Sequence, residues 1–242
     1  MNTDKKQALS VHLKAIRRML IVSVASVAVL FVLFFYLLCG PLVDFVLAPV
    51  RALGIEVITT SVSEALMMQF KVCLIAAVIA GMPVIIWQVW VFVAPALYPQ
   101  EKRLFAALFF VALLLFVGGV AFCYCLVFPM AIDLFWSAAD GVASTLWSVK
   151  EYFNFVLSFV LPFGLMFELP VVVYMLARRG LVTYQKLAHS RKYVILVIAI
   201  IAAILTPPDA VSQCMLAIPM ILLYEVAAQL ARLVKPKKPA EA

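Results

Sequence analysis

One carboxylate stands inside a long apolar run. Glu168 lies between Pro162 and Pro170, in the stretch Tyr152–Ala177. An ionised acid in hydrocarbon is costly, so it must be protonated, paired or facing water, and such a residue is a functional candidate by default. The plainer reading is that Glu168 caps backbone groups freed by Pro170. Lys71, in the first third of another apolar run, reads as a side chain that snorkels to the interface. Glu101 stands with Lys102 and Arg103 in a short polar segment, and by composition alone this is a solvated cluster. Glu225 reads as a partner for a lysine of the tail. His12 and His189 are lone histidines without metal spacing. No nucleotide-binding glycine loop, Ser/His/Asp set or metal box is present. The residues therefore point to no enzyme, no cofactor and no metal. The intramembrane charges are too scattered for a continuous proton relay.

The elements that must position these residues are membrane spans. A span needs about 20 apolar residues to cross about 30 Å of hydrocarbon. The apolar runs predict spans over residues 19–38, 65–93, 104–130, 152–177, 193–205 and 210–230. The last two are separated by Thr206-Pro207-Pro208-Asp209, because successive prolines remove backbone donors and break a helix. Span 5 then has about 13 apolar residues, roughly 20 Å, short of the hydrocarbon thickness. Residues 39–64, with Pro41, Pro49 and Gly54, read as a sizeable loop that packs on the membrane surface or caps the fold. The first run is longer than a signal h-region and lacks a small-residue cleavage site, so it is expected to remain as a span.

Composition agrees: 67% of the 242 residues are hydrophobic and 13% charged, against about 45–50% and about 25% in soluble domains. No polar block is long enough to fold alone, so residues 1–242 read as a single membrane domain. Sixteen of the nineteen Lys and Arg residues fall in the amino-terminal tail, the loops after spans 2 and 4, and the carboxy-terminal tail. The positive-inside rule then puts both termini in the cytoplasm. The same rule explains the net charge of +7 without nucleic acid as a partner. The five cysteines lie in or beside apolar runs, without disulfide or zinc spacing, and read as small buried hydrophobes. Unaided, this yields a six-span protein that would suit a transporter, a channel or a receptor.

The ordered motifs carry the reading further. They are His12-Leu13 with Arg17; Ala48-Pro49; Pro83, Gln88-Val89-Trp90, Phe92 and Ala94-Pro95-Ala96-Leu97-Tyr98 with Glu101; Phe128-Pro129; Phe163-Gly164 with Phe167-Glu168-Leu169-Pro170; and Leu205-Thr206-Pro207-Pro208-Asp209 with Gln213, Ala217-Ile218-Pro219-Met220 and Glu225. In this order they resemble the TatC family, the core receptor subunits of twin-arginine protein export. The resemblance implies an all-α integral membrane fold of six helices in a concave bundle, with helices 5 and 6 short. It implies a chain in the inner membrane that binds twin-arginine signal peptides and helps export folded proteins on the proton-motive force. It also implies TatA-like and TatB-like single-span partners and self-association within lipid. The implied signal-peptide site is Arg17, Phe92, Tyr98, Glu101 and Arg103, with Glu101 as a ligand for a guanidinium. The implied polar positions of the membrane region are Glu168, Gln213, Asp209 and Pro49. One departure is that Ala15 stands where the family pattern has a glutamate. That predicts weaker binding of the arginine pair, or an acid elsewhere, such as Asp4 or one from a partner, that compensates. The alternative is a proton-coupled small-solute transporter using Glu168, which should show inverted repeats; none is visible.

Overall fold

The computed structural model describes residues 3–93, 102–139, 146–206 and 209–234. In chain order the elements are α1 (Thr3–Leu37), α2 (Cys39–Ala52), β1 (Val57–Ile58), α3 (Glu64–Val93), α4 (Lys102–Phe122), a π-helical turn (Cys123–Val127), α5 (Phe128–Ala139), β2 (Trp147–Ser148), α6 (Val149–Phe167), α7 (Leu169–Arg178), α8 (Tyr184–Leu205) and α9 (Ala210–Leu233). Six stretches are long and apolar enough to cross a membrane: Leu13–Leu37, Glu64–Val91, Ala106–Ser137, Val149–Arg178, Tyr184–Leu205 and Ala210–Leu233. Large side chains such as Phe110, Leu114 and Ile204 are exposed, which only lipid makes favourable over so wide an apolar surface. The described chain packs as two compact units, residues 1–46 with 63–113, and residues 47–62 with 114–242.

In the first unit α1 and α3 pack antiparallel. Phe35 stacks on Phe70 with ring centroids 4.7 Å apart, and further along, Gly81 lies against Val27 and Leu30. Descending α1 is ascending α3. Trp87 of α3 meets Phe109 of α4 edge-on at 5.5 Å, so α4 turns back beside α3.

The second unit is built around α6. Phe155, Phe159 and Phe163 recur every fourth residue, on one helix face, and all three are buried. Gly119 of α4 and Gly164 of α6 let the two helices approach closely. A Cβ at Gly119 would stand 2.8 Å from the Phe167 ring and 2.9 Å from the Phe163 carbonyl oxygen, and one at Gly164 would stand 2.6 Å from the Phe116 ring. Two prolines shape the local backbone. Pro129 has no N–H for the carbonyl four residues back, and just before it the helix widens into a π turn, with the Phe128 N–H bonded to the Cys123 carbonyl. Pro170 follows the interruption between α6 and α7, where the Glu168 N–H bonds tightly to the Leu165 carbonyl at 3.1 Å. A two-residue parallel pairing of β1 with β2 joins the two loop segments.

Four expectations need correction. Residues 39–52 are a helix, α2, and not a loop; Pro41 falls in its first turn, where a missing N–H costs nothing. The fifth helix starts at Tyr184 and runs 22 residues, nine residues before the start read from hydropathy. Its first turns are polar, so hydropathy does not register them, but Thr183 caps them by accepting the Lys186 N–H. Gly180, with φ of +71°, ends α7 just before. At 22 residues the fifth helix is about 33 Å long, so the expected shortfall against the hydrocarbon thickness is not present. The third span continues past Met130 to Ser137 through the π turn. Two cysteines, Cys125 and Cys214, are exposed rather than buried.

Candidate functional site

Glu168 sits at the joint of α6 and α7. Its side chain makes no capping hydrogen bond. The Val171 and Val172 N–H groups both bond to the Glu168 backbone carbonyl, each at 3.1 Å. The carbonyl that Pro170 leaves without its usual donor is that of Met166, and it receives the Glu168 backbone N–H, so the Glu168 side chain takes no part in closing the break. Its Oε1 is buried with no partner among the described residues. Ten residues separate Glu168 from Arg178 at the end of its span, about 15 Å along a helix, which is mid-membrane depth. A carboxyl group left so at that depth can accept a proton, or a hydrogen bond from a polar group on another helix.

Asp209 and Gln213 shape the α8–α9 hairpin. The Asp209 carboxylate caps α9 by accepting the Ser212 N–H at 2.7 Å. Gln213 donates from Nε2 to the Ala199 carbonyl of α8 at 3.0 Å. Buried Thr206 donates its hydroxyl to the Ala202 carbonyl at 2.9 Å. At the far end of the hairpin, Tyr224 donates to the Leu187 carbonyl at 2.9 Å, and Arg191 forms an ion pair with Glu225. Among the described residues Glu225 pairs with Arg191 and accepts from Gln229; the tail lysines lie outside them. Interhelical hydrogen bonds within a bilayer contribute about 0.6 kcal/mol each. Pro49 lies half-buried inside α2.

The implied arginine-recognition residues divide between described and undescribed positions. Arg17 is exposed on α1, and Ala15 is exposed two residues before it. Phe92 lies in the last turn of α3 and Arg103 in the first turn of α4. Since α1, α3 and α4 alternate in direction, these three backbone positions gather at one end of the first unit. Glu101 and Tyr98 lie outside the described residues, as do the side chains of Phe92 and Arg103. Because α1 is unbroken from Thr3, Asp4 is about 16 Å along it from Ala15. The features that sequence reasoning missed are the close α4–α6 approach at Gly119 and Gly164 and the Arg191–Glu225 pair. Neither has a local signal, since each depends on which helices become neighbours.

Comparison with known proteins gives a consistent result. The family model for "Sec-independent protein translocase protein (TatC)" matches residues 11–219. A Carboxydothermus hydrogenoformans protein described as "Sec-independent protein translocase protein TatC" is 38% identical over 236 residues, covering 97% of this chain and 97% of that protein. A Haemophilus influenzae protein of the same description is 36% identical over 239 residues, covering 98% of this chain and 93% of that one. A solved structure, "Crystal Structure of Twin Arginine Translocase Receptor- TatC", superposes with a TM-score of 0.86 at 36% identity, over 92% of this chain and 98% of that one. Full-length identity at this level, with the same fold, leaves one assignment: the chain is a multi-pass membrane protein and belongs to the TatC family of Sec-independent protein translocase proteins.

Proposed function

We propose that the chain is the signal-peptide receptor and core subunit of a twin-arginine translocase, which exports folded proteins across the inner membrane on the proton-motive force. The observation that supports this most is its end-to-end likeness to a solved twin-arginine translocase receptor. Both termini lie in the cytoplasm in this reading, supported by the sixteen basic residues on one side. Glu101 accepts the guanidinium of the signal peptide through charge-assisted hydrogen bonds, beside Arg17, Phe92, Tyr98 and Arg103. Glu168, Gln213, Asp209 and Pro49 serve contacts with TatA-like and TatB-like single-span partners or with further copies of the chain. Family membership does not favour the proton-coupled transporter.

Cross-linking of a twin-arginine peptide to the detergent-purified chain tests the recognition role. Ala15→Glu restores a second acid and is expected to strengthen cross-linking; an unchanged yield contradicts the account of Ala15. Glu101→Gln keeps the shape, removes the charge and is expected to reduce cross-linking at least tenfold, since a charge-assisted bond contributes about 1.5–3 kcal/mol. Parental cross-linking in that variant rules Glu101 out as the ligand.

A further inference from the structure

At one end of the second unit, three membrane-length stretches terminate together: Val149–Arg178 ends, Tyr184–Leu205 begins and Ala210–Leu233 ends. That common level is where lipid headgroups lie. Tyr174, Tyr184, Tyr193 and Tyr224 cluster near it in the sequence, as interfacial aromatics do. Over residues 178–192 and 225–234 there are six Lys and Arg residues and one acid, Glu225. The tail beyond adds three lysines and one glutamate.

The cations are arranged around one tyrosine. Arg191 donates to the Tyr184 hydroxyl at 3.3 Å and is held on its other side by Glu225. The Arg232 guanidinium stands 5.8 Å from the centre of the same ring. A pocket of about 320 Å³ opens here, lined by Ala177, Thr183, Tyr184, Gln185 and Arg232 among others. Arg179 follows Ala177 by two residues and caps α7. Nη2 of Arg179 and Nε of Arg191 are buried without a partner among the described residues. A guanidinium has five donors in a fixed fork and no acceptor. Of these cations Arg232 lines the pocket itself, with Arg191 held on the same tyrosine; a guanidinium there is met by an anion with several oxygens, and Glu225 already serves Arg191 and Gln229.

We infer that this pocket binds the phosphate of an anionic phospholipid headgroup. A phosphodiester offers the oxygens that the guanidinium forks lack, and its acyl chains would run along the apolar faces of α8 and α9. Basic pockets between helices at the membrane surface have this chemistry. The site is independent of the signal-peptide reading, since it uses none of the residues assigned to that role.

Native mass spectrometry of the full detergent-purified chain tests it, with phosphatidylglycerol, phosphatidylcholine and inorganic phosphate as probes. Phosphatidylglycerol should be retained in preference to phosphatidylcholine. Arg232→Gln should weaken that retention about fivefold, while Arg51→Gln in α2 leaves it unchanged. Equal retention of the two lipids overturns the proposal. So does displacement of the lipid by millimolar inorganic phosphate, which would mark a free-anion site. A readout free of variants guards against misfolding: a photoactivatable anionic lipid should label residues 177–185 and 231–234 of the parental chain. Labelling spread evenly over all six membrane-length stretches would contradict it.

Discussion

Glu168 shows why a residue's partners matter more than its type. The acid was conspicuous in the sequence because lipid excludes charge. What the sequence could not decide was between a cap and a free functional group. In the structure the side chain makes no capping hydrogen bond, and Oε1 has no partner among the described residues. Removing the charge of an acid that makes no hydrogen bond through its buried Oε1 costs little. Glu168→Gln is therefore expected to leave the unfolding midpoint in detergent unchanged or raised, by up to about 1 kcal/mol, while reporter export falls. A large destabilisation would restore the structural reading. The Arg191–Glu225 pair makes the opposite case. Its side chains are 39% and 38% exposed, so a double-mutant cycle should give a coupling of no more than about 1 kcal/mol. A coupling of several kcal/mol would mean the pair is shielded from solvent.

At the scale of elements, hydropathy found the membrane-length stretches and missed helix that is not apolar. The six spans were legible because roughly twenty consecutive apolar residues have few other fates. The separation of α8, ending at Leu205, from α9, starting at Ala210, was legible because successive prolines in a sequence remove donors. The start of α8 was hidden, because Tyr184–Lys192 is polar yet helical. Helix α2 was hidden because Pro41 and Pro49 look like loop punctuation, although a first-turn proline is harmless. Close helix contacts were hidden as well. Gly118-Gly119 reads as a weak point in a helix until its neighbour is known. Gly119→Ala would drive a methyl to 2.9 Å from the Phe163 carbonyl, and a backbone atom cannot swing aside. The expected loss is about 1–3 kcal/mol of stability, measured as a lower unfolding midpoint, with a neighbouring Gly118→Ala nearly neutral because nothing lies within 4 Å of it. Equal effects at the two glycines would contradict the close α4–α6 approach.

For the whole molecule, charge and fold carry different parts of the account. The distribution of basic residues supports the orientation, and full-length likeness to TatC proteins establishes the family. The candidate recognition site was legible only through ordered motifs, because Glu101 by itself is one acid in a basic loop. In the proposed reading Ala15 stands where the family motif has a glutamate, and receptor strength is expected to depend on it. The central claim is that the chain receives twin-arginine signal peptides and forms the core of a translocase for folded proteins. It is tested most directly by expressing the chain in bacterial cells lacking their own TatC and measuring export of a folded fluorescent reporter. The account predicts export with a twin-arginine signal, loss of export when the pair is changed to two lysines, and loss with Glu101→Gln. Export that is absent with the twin-arginine signal, or equal with the twin-lysine one, would contradict it.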